Sequence, residues 1–156
     1  MIEFNHVTKT YPRTHTHALK DVHFHVGRGE FVYVTGHSGA GKSTLLALML
    51  RRILPSEGTV IIGGNDVTRM RESRLHQMRR QIGMVFQDHR LLPHLTAFEN
   101  LTFVLRATAT RGNHEQKALQ ALRNVGLAHK RKAYPIELSL GEQQRVAIGR
   151  AMVTDA

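Results

Sequence analysis

The sequence predicts an α/β fold in three parts: an antiparallel β-rich N-terminal region, a mainly parallel core sheet, and an α-helical insertion. Three observations carry that expectation. The apolar run Phe31-Val32-Tyr33-Val34-Thr35 leads into the glycine loop Gly36-His37-Ser38-Gly39-Ala40-Gly41-Lys42-Ser43-Thr44, and Leu45, Leu46, Leu48 and Met49 begin an apolar helix directly after it. A second apolar stretch, residues 82–86, runs into polar Gln87. Past Gln87 the apolar residues fall at helical rather than strand spacing.

In chain order, residues 2–7 and 18–26 read as short strands joined by a connection containing Pro12, with Gly27-Arg28-Gly29 as the turn before the core strand. These strands are expected to be antiparallel and peripheral. The glycine loop then satisfies the phosphate-loop pattern, two glycines (Gly36 and Gly41) separated by four residues and followed by Lys42 and Ser43. Backbone N–H groups have to wrap a polyphosphate closely, so side chains at Gly36, Gly39 and Gly41 are expected to obstruct it. Lys42 is placed to reach the β- and γ-phosphates, the Ser43 hydroxyl to ligate Mg²⁺, and the positive end of the following helix to face the anion. Residues 58–62 form another β-rich stretch closed by Gly63-Gly64. From Thr96, Phe98, Leu101, Val104 and Leu105 mark one helix, and Ala118, Leu119, Leu122 and Val125 a second. Asn113 with Gln116 reads as the capping box of that second helix, and Gly126 as its C-terminal cap. Residues 88–135 therefore form a helical insertion, and Val146, Ile148, Ala151 and Met152 belong to a last helix starting near Ser139.

Composition sets bounds on function. A chain of 156 residues with 41% apolar content is large enough for one domain with a core, and too apolar for disorder. The absence of Cys excludes disulfides and cysteine-ligated metal, as a reducing compartment permits. No apolar run approaches the ~18 residues of a membrane span, and Glu3, Asn5 and His6 do not suit a signal peptide. Any membrane role is thus expected to pass through a partner. The formal charge of +10 gathers at Arg69, Arg71, Arg74, Arg79 and Arg80 and at Lys130-Arg131-Lys132. With no aromatic platform or nucleic-acid module beside it, this favours a solvated basic face over specific nucleic-acid binding, and it would favour docking at an anionic leaflet. The alternations His15-Thr16-His17 and His23-Phe24-His25 place each pair on one strand face. Without Cys or a helical i, i+4 pair they favour a His-rich surface strand over a zinc site.

The order of landmarks matters more than any one of them: Tyr11, the glycine loop, Gln87 after a strand, a helical insertion, then Leu138-Ser139-Leu140-Gly141-Glu142-Gln143-Gln144-Arg145. Together these resemble the ATP-binding cassette family of ATPases. The resemblance implies ATP and Mg²⁺ as ligands, with Tyr11 stacking on adenine and residues 36–44 holding the phosphates. It implies that Gln87 joins Ser43 at Mg²⁺, contacts the attacking water and senses a membrane partner. The signature segment is Leu138, Ser139, Leu140, Gly141, Glu142 and Gln143. Its Ser139 and Gly141 would cap the γ-phosphate bound to the opposite subunit of a head-to-tail homodimer. Taken singly, Tyr11 reads as a turn aromatic and Ser139 with Glu142 as a plain helix capping box; the combination in order carries the assignment.

Within the family, residues 36–46 and 80–89 are similar to the cell-division, FtsE-type branch, and the similarity runs from Phe4 through Arg150. It implies pairing with an FtsX-like integral membrane protein at the cytoplasmic face of the bacterial inner membrane, and an ATP cycle that controls cell-wall hydrolysis at the septum. The alternative inside the family is the ATPase of a lipoprotein or macrolide exporter, where the position of His37 is more often proline. Alternatives outside it are a non-hydrolysing fragment that offers its Gln87-to-Glu99 surface to a membrane partner, and a basic nucleic-acid-binding phosphate-loop protein.

Two departures from the family pattern stand out. Members continue past the signature helix into an apolar strand ending in Asp-Glu, whereas the sequence in hand stops at Thr154-Asp155-Ala156. The expectation is a partial nucleotide-binding domain, incomplete at its C-terminus, with 1–87 as β-subdomain and phosphate-loop core, 88–135 as helical subdomain and 136–156 as signature segment and helix. No catalytic residue is assigned, because the carboxylate that activates water in the family has no counterpart here, and the switch histidine's role passes to none of the eleven histidines. The missing strand is expected to leave core surface exposed. The second departure is Leu140, which stands where the signature has its first glycine and is expected to weaken the ATP-sandwich dimer.

Overall fold

The computed structural model describes residues 1–12 and 16–154. His15 of the first histidine alternation lies outside the described residues, as do Asp155 and Ala156. The chain divides into two compact units, Met1–Arg79 and Arg80–Ala156. The division falls at 79/80, so the segments expected as 88–135 and 136–156 share one unit with residues 80–87.

In the first unit, β1 (Ile2–Tyr11) pairs antiparallel with β2 (Thr16–Val26) on one side and β3 (Glu57–Ile62) on the other. The short β4 (Asn65–Asp66) completes a sheet in the order β2-β1-β3-β4. Phe4 and Val7 are both fully buried although three residues apart, which strict period-two alternation would forbid. An irregularity in the β1–β2 pairing between them, with His6 at φ 48°, returns Val7 to the inner face. Phe4 lies opposite Phe24 and stacks on it at 4.7 Å between ring centroids, with Val60 on its other flank. The antiparallel pair is as the sequence predicts, and both strands run further because backbone pairing continues through polar Thr8 to Tyr11.

Helix α1 (Lys42–Met49) starts directly at the glycine loop and buries Leu45 and Leu48. Helix α2 (Glu72–Arg79) is not foreseen by the pattern, because it buries only Leu75 and Met78. It holds two residues of the first arginine cluster, Arg74 and Arg79, and the second of these also serves as a helix cap. Arg79 donates from Nε to the Leu50 carbonyl at 2.9 Å and from Nη2 to the Arg51 carbonyl at 3.0 Å, satisfying carbonyls that the end of α1 leaves unpaired.

Residues 31–35 depart from expectation: the run is irregular and carries no strand ladder among the described residues. A strand is defined by hydrogen bonds to a neighbour. β1 already has one neighbour on each side, and no strand of the sheet takes 31–35 as its own. Phe31 is 80% and Tyr33 79% exposed, their rings meeting edge to face at 4.8 Å. Residues 82–86 likewise form no ladder, although their exposure alternates as a strand's would.

Among the described residues, the second unit packs three α-helices around one core: α3 (Ala97–Ala107), α4 (His114–Asn124) and α5 (Leu140–Met152). Leu101, Leu105, Leu122, Leu127 and Val146 are fully buried at its centre. Thr96 caps α3 through a capping box with Glu99, Asn113 accepts from the Gln116 amide at the start of α4, and Gly126 at φ 73° follows that helix as expected. No helix among the described residues is long and apolar enough to cross a membrane.

Candidate functional site

The phosphate loop is held by its own lysine. Lys42 Nζ donates to the carbonyls of Gly36 and His37, each at 2.7 Å, which closes the loop and leaves one ammonium hydrogen uncommitted to these two acceptors. The Ala40 amide donates to His37 O at 3.2 Å, and the first helical bond is Leu45 N–H to Gly41 O at 2.9 Å. The N–H groups of Lys42, Ser43 and Thr44 precede that bond and have no intrahelical acceptor. They point positive partial charge out of the helix start, beside the Lys42 ammonium and the Ser43 hydroxyl. His37 is committed locally, its Nδ1 lying 2.7 Å from the Ser38 carbonyl.

The glycines are needed for reasons the sequence only partly supplies. Gly39 has φ 82° and open space around any added Cβ, so its requirement is conformational. A Cβ on Gly36 would meet Ala40 Cβ at 3.0 Å. Gly41 has φ 87°, and a Cβ there would run into the Ala18 carbonyl of β2 and come within 2.8 Å of Leu19 Cδ2. Gly41 is therefore required by packing of the loop on the sheet.

Tyr11 ends β1, and its hydroxyl is 3.4 Å from Thr44 Oγ1 in the first turn of α1. Lys9 Nζ lies 5.5 Å from the centre of the Tyr11 ring. The structure thus brings Tyr11 and the glycine loop to one end of the first unit, although Tyr11 and Thr44 are far apart in sequence. A cation over one part of the ring and an exposed aromatic surface beside an anion cradle suit a purine nucleotide.

Gln87 and the signature segment lie in the second unit. Gln87 is exposed in a turn closed by the His89 amide donating to Phe86 O at 3.0 Å. Arg90 Nε lies 3.1 Å from each Asp88 carboxylate oxygen, and the Arg90 guanidinium covers the Phe86 ring at 4.3 Å. Sequence reasoning missed Asn100, the residue that anchors the loop between this turn and α3. It is 1% exposed in α3, donates from Nδ2 to the carbonyls of Leu92, Leu95 and Thr96, and accepts from the Leu92 amide at 2.8 Å. An asparagine next to Leu101 in an otherwise apolar helical face was the available signal, since a buried amide is retained only with its partners satisfied.

At the signature, Ser139 caps α5. Its Oγ donates to Glu142 Oε2 at 2.9 Å and accepts from the Glu142 amide at 3.3 Å, while its amide donates to Glu142 Oε2 at 2.8 Å. The plain capping box is thus formed. Leu138 is buried, Leu140 is 74% exposed, and a Cβ added to Gly141 would meet nothing closer than Arg145 Nη1 at 3.8 Å. Gln143 fixes the turn before the helix, donating to Pro135 O at 2.9 Å and Leu138 O at 3.1 Å. The Glu142 carboxyl is held below its ordinary value, first by the Ser139 amide and then by the Ser139 hydroxyl, with Lys130 and Arg145 adding to the effect against partial desolvation.

A family model described as ABC transporter matches residues 19–156. The chain is 46% identical to the cell division ATP-binding protein FtsE of Escherichia coli (strain K12), over 98% of this chain and 69% of that protein. It is 42% identical to the protein of the same name from Bacillus subtilis (strain 168), over 99% and 68%. It is also 40% identical to the methionine import ATP-binding protein MetN of Vibrio vulnificus (strain YJ016), over 99% and 46%. Among solved structures, it superposes on the dimeric post-hydrolysis state of the ATP-binding cassette MJ0796 bound to ADP and Pi. The TM-score is 0.87 at 37% identity, covering 98% of this chain and 69% of that one.

Proposed function

The chain belongs to the ABC transporter family, and from that premise we propose that it is the ATP-binding subunit of an FtsE-like cell-division complex, acting on an FtsX-like integral membrane protein. The observation that carries the nucleotide assignment is the meeting of Tyr11 with Thr44 at the head of α1, immediately beside the Lys42-closed glycine loop. The residues present fit ATP and Mg²⁺. The first-turn amides and Lys42 supply donors for phosphate oxygens, the Tyr11 ring supplies a face for the base, and Ser43 supplies an oxygen ligand for the cation. Gln87 is assigned as the second Mg²⁺ contact and the partner-sensing residue, and Ser139 with Gly141 as the surface offered to the opposite subunit's nucleotide.

ATP, when bound, supplies the phosphoanhydride that drives such machines, and the protein's part is positioning and charge stabilisation. Lys42 leaves the Gly36 and His37 carbonyls for phosphate, or shares its hydrogens between them. Ser139 holds its hydroxyl in a fixed direction through Glu142 until a partner's anion competes for the proton. The cell-division assignment is supported by the two relatives of that name, each aligned over at least 98% of this chain, and the homodimer by the dimeric cassette structure.

Equilibrium binding of ATP with Mg²⁺ to the purified protein and its Lys42→Ala variant tests the nucleotide site. The variant is expected to lose at least about tenfold in affinity, as removal of a charge-assisted phosphate contact implies. Unchanged affinity would mean that the glycine loop is not the site.

A further inference from the structure

The turn that carries Gln87 is shaped by two non-glycine residues in the left-handed region, His89 at φ 53° and Arg90 at φ 49°. Such residues persist only where their surroundings over-determine them. One side chain does so here. Arg150, near the end of α5, donates from Nη1 to the Arg90 carbonyl at 2.5 Å and from Nη2 to the His89 carbonyl at 2.6 Å. The planar guanidinium fork matches two consecutive carbonyls turned the same way, which an ammonium at the same place would not. The segment before Gln87 is bound to the same helix end. Gly83 lies so close to α5 that an added Cβ would come within 2.7 Å of the Ala151 carbonyl.

Arg150 is partly buried, and burial pushes its pKa down from the usual value without discharging it. A half-buried cation facing two carbonyls and no carboxylate in its hydrogen bonds is a costly way to hold a surface loop. The buried His89 Nδ1 has no hydrogen-bond partner among the described residues. The helix that Ser139 caps at one end therefore finishes, after 13 residues, on the turn that presents Gln87.

We propose that Arg150 is a positioning residue for Gln87, holding the 86–90 turn in its left-handed form from the far end of the signature helix. Its functional consequence rests on the assignment of Gln87 to Mg²⁺ given above; its structural content does not. Without Arg150 the His89 and Arg90 carbonyls lose both donors, the turn relaxes toward ordinary backbone angles, and Gln87 is presented over many directions.

Two readouts separate the proposal from that assignment. Amide hydrogen exchange is measured on the whole chain and on Arg150→Met and Arg150→Lys. At least tenfold faster exchange confined to residues 86–91 is expected for Arg150→Met, and a smaller effect for Arg150→Lys, which retains a donor. Unchanged exchange there overturns the proposal, and so does acceleration spread evenly through α3, α4 and α5, which would make Arg150 a fold residue only. The second readout is the factor by which Mg²⁺ strengthens ATP binding. Gln87→Ala and Arg150→Met are each expected to reduce that factor severalfold, with the double variant no worse than either and Mg²⁺-free binding unchanged. A factor unaffected by Gln87→Ala removes the role given to Gln87 and leaves exchange to judge Arg150. A factor reduced by Gln87→Ala and untouched by Arg150→Met overturns the positioning claim.

Discussion

Single residues in the glycine loop are constrained from two directions, and the structure separates them. Gly39 needs only its positive φ, whereas Gly41 needs both a positive φ and the absence of a Cβ against the Ala18 carbonyl. A left-handed alanine costs about 1–2 kcal/mol, and overpacking a close contact adds about 1–3 kcal/mol. Gly41→Ala is therefore expected to cost about 2–5 kcal/mol and Gly39→Ala about 1–2 kcal/mol. Thermal melting without nucleotide reads the difference directly, since for a chain of this size each kcal/mol moves the midpoint by about 2–4 °C. Equal losses would mean that the contact with β2 is relieved freely, and that Gly41 is kept for phosphate access alone. Lys42 shows the same double duty, tying the loop to itself through the Gly36 and His37 carbonyls with the group assigned to phosphate.

Among the elements, α5 stands out because its two ends do different things. Its N-terminus is stabilised by ionised Glu142, which accepts from the Ser139 amide and hydroxyl and lies in the favourable part of the helix dipole. The sign of the pH effect follows from the lowered carboxyl. The contribution is fully present above the ordinary value of 4.5 and is lost as pH falls through the lower folded value. Hydrogen exchange at the Ser139 amide, corrected for its intrinsic pH dependence, is expected to lose protection across that acidic window. In Glu142→Gln the protection should be lower at neutral pH and flat across the same range. A pH profile identical in both proteins would exclude the Glu142 carboxylate as the cap. Glu99 repeats the arrangement at α3 through Thr96, so total helicity cannot distinguish the two caps, and a residue-level probe is needed. The α1 C-terminus is completed from another element, by Arg79 of α2, which turns part of an apparent basic face into a helix cap.

At the scale of the whole molecule, what matters is which surfaces each unit offers. Ahead of the glycine loop, Phe31, Val32, Tyr33 and Val34 are all more than half exposed, an apolar run of the kind proteins normally cover. The formal charge of +10 would be attracted to an anionic leaflet. Affinity purification of the native protein from membrane extracts is expected to recover an FtsX-type permease. Recovery of an exporter or methionine permease in its place would reject the cell-division assignment while leaving the nucleotide site intact.

The sequence by itself determined the family, the antiparallel N-terminal strand pair and the helices that follow Gln87. The glycine spacing, Lys42 and Ser43 are local requirements of a phosphate cradle, and capping residues such as Ser139, Glu142, Asn113 and Gly126 act within one turn of where they stand. The antiparallel pairing of β1 and β2 was legible because alternation and turn residues are short-range signals. Only the tertiary structure decided the rest. It left residues 31–35 and 82–86 without ladders, because a strand exists by virtue of a neighbour that periodicity cannot supply. It placed α2, whose two buried residues are too few to show a period. It also assigned Asn100, Arg79 and Arg150 to backbone carbonyls outside their own helical turns. A polar side chain's partner is fixed by which carbonyls the fold leaves unpaired, and that is a property of the packed chain rather than of any segment of its sequence.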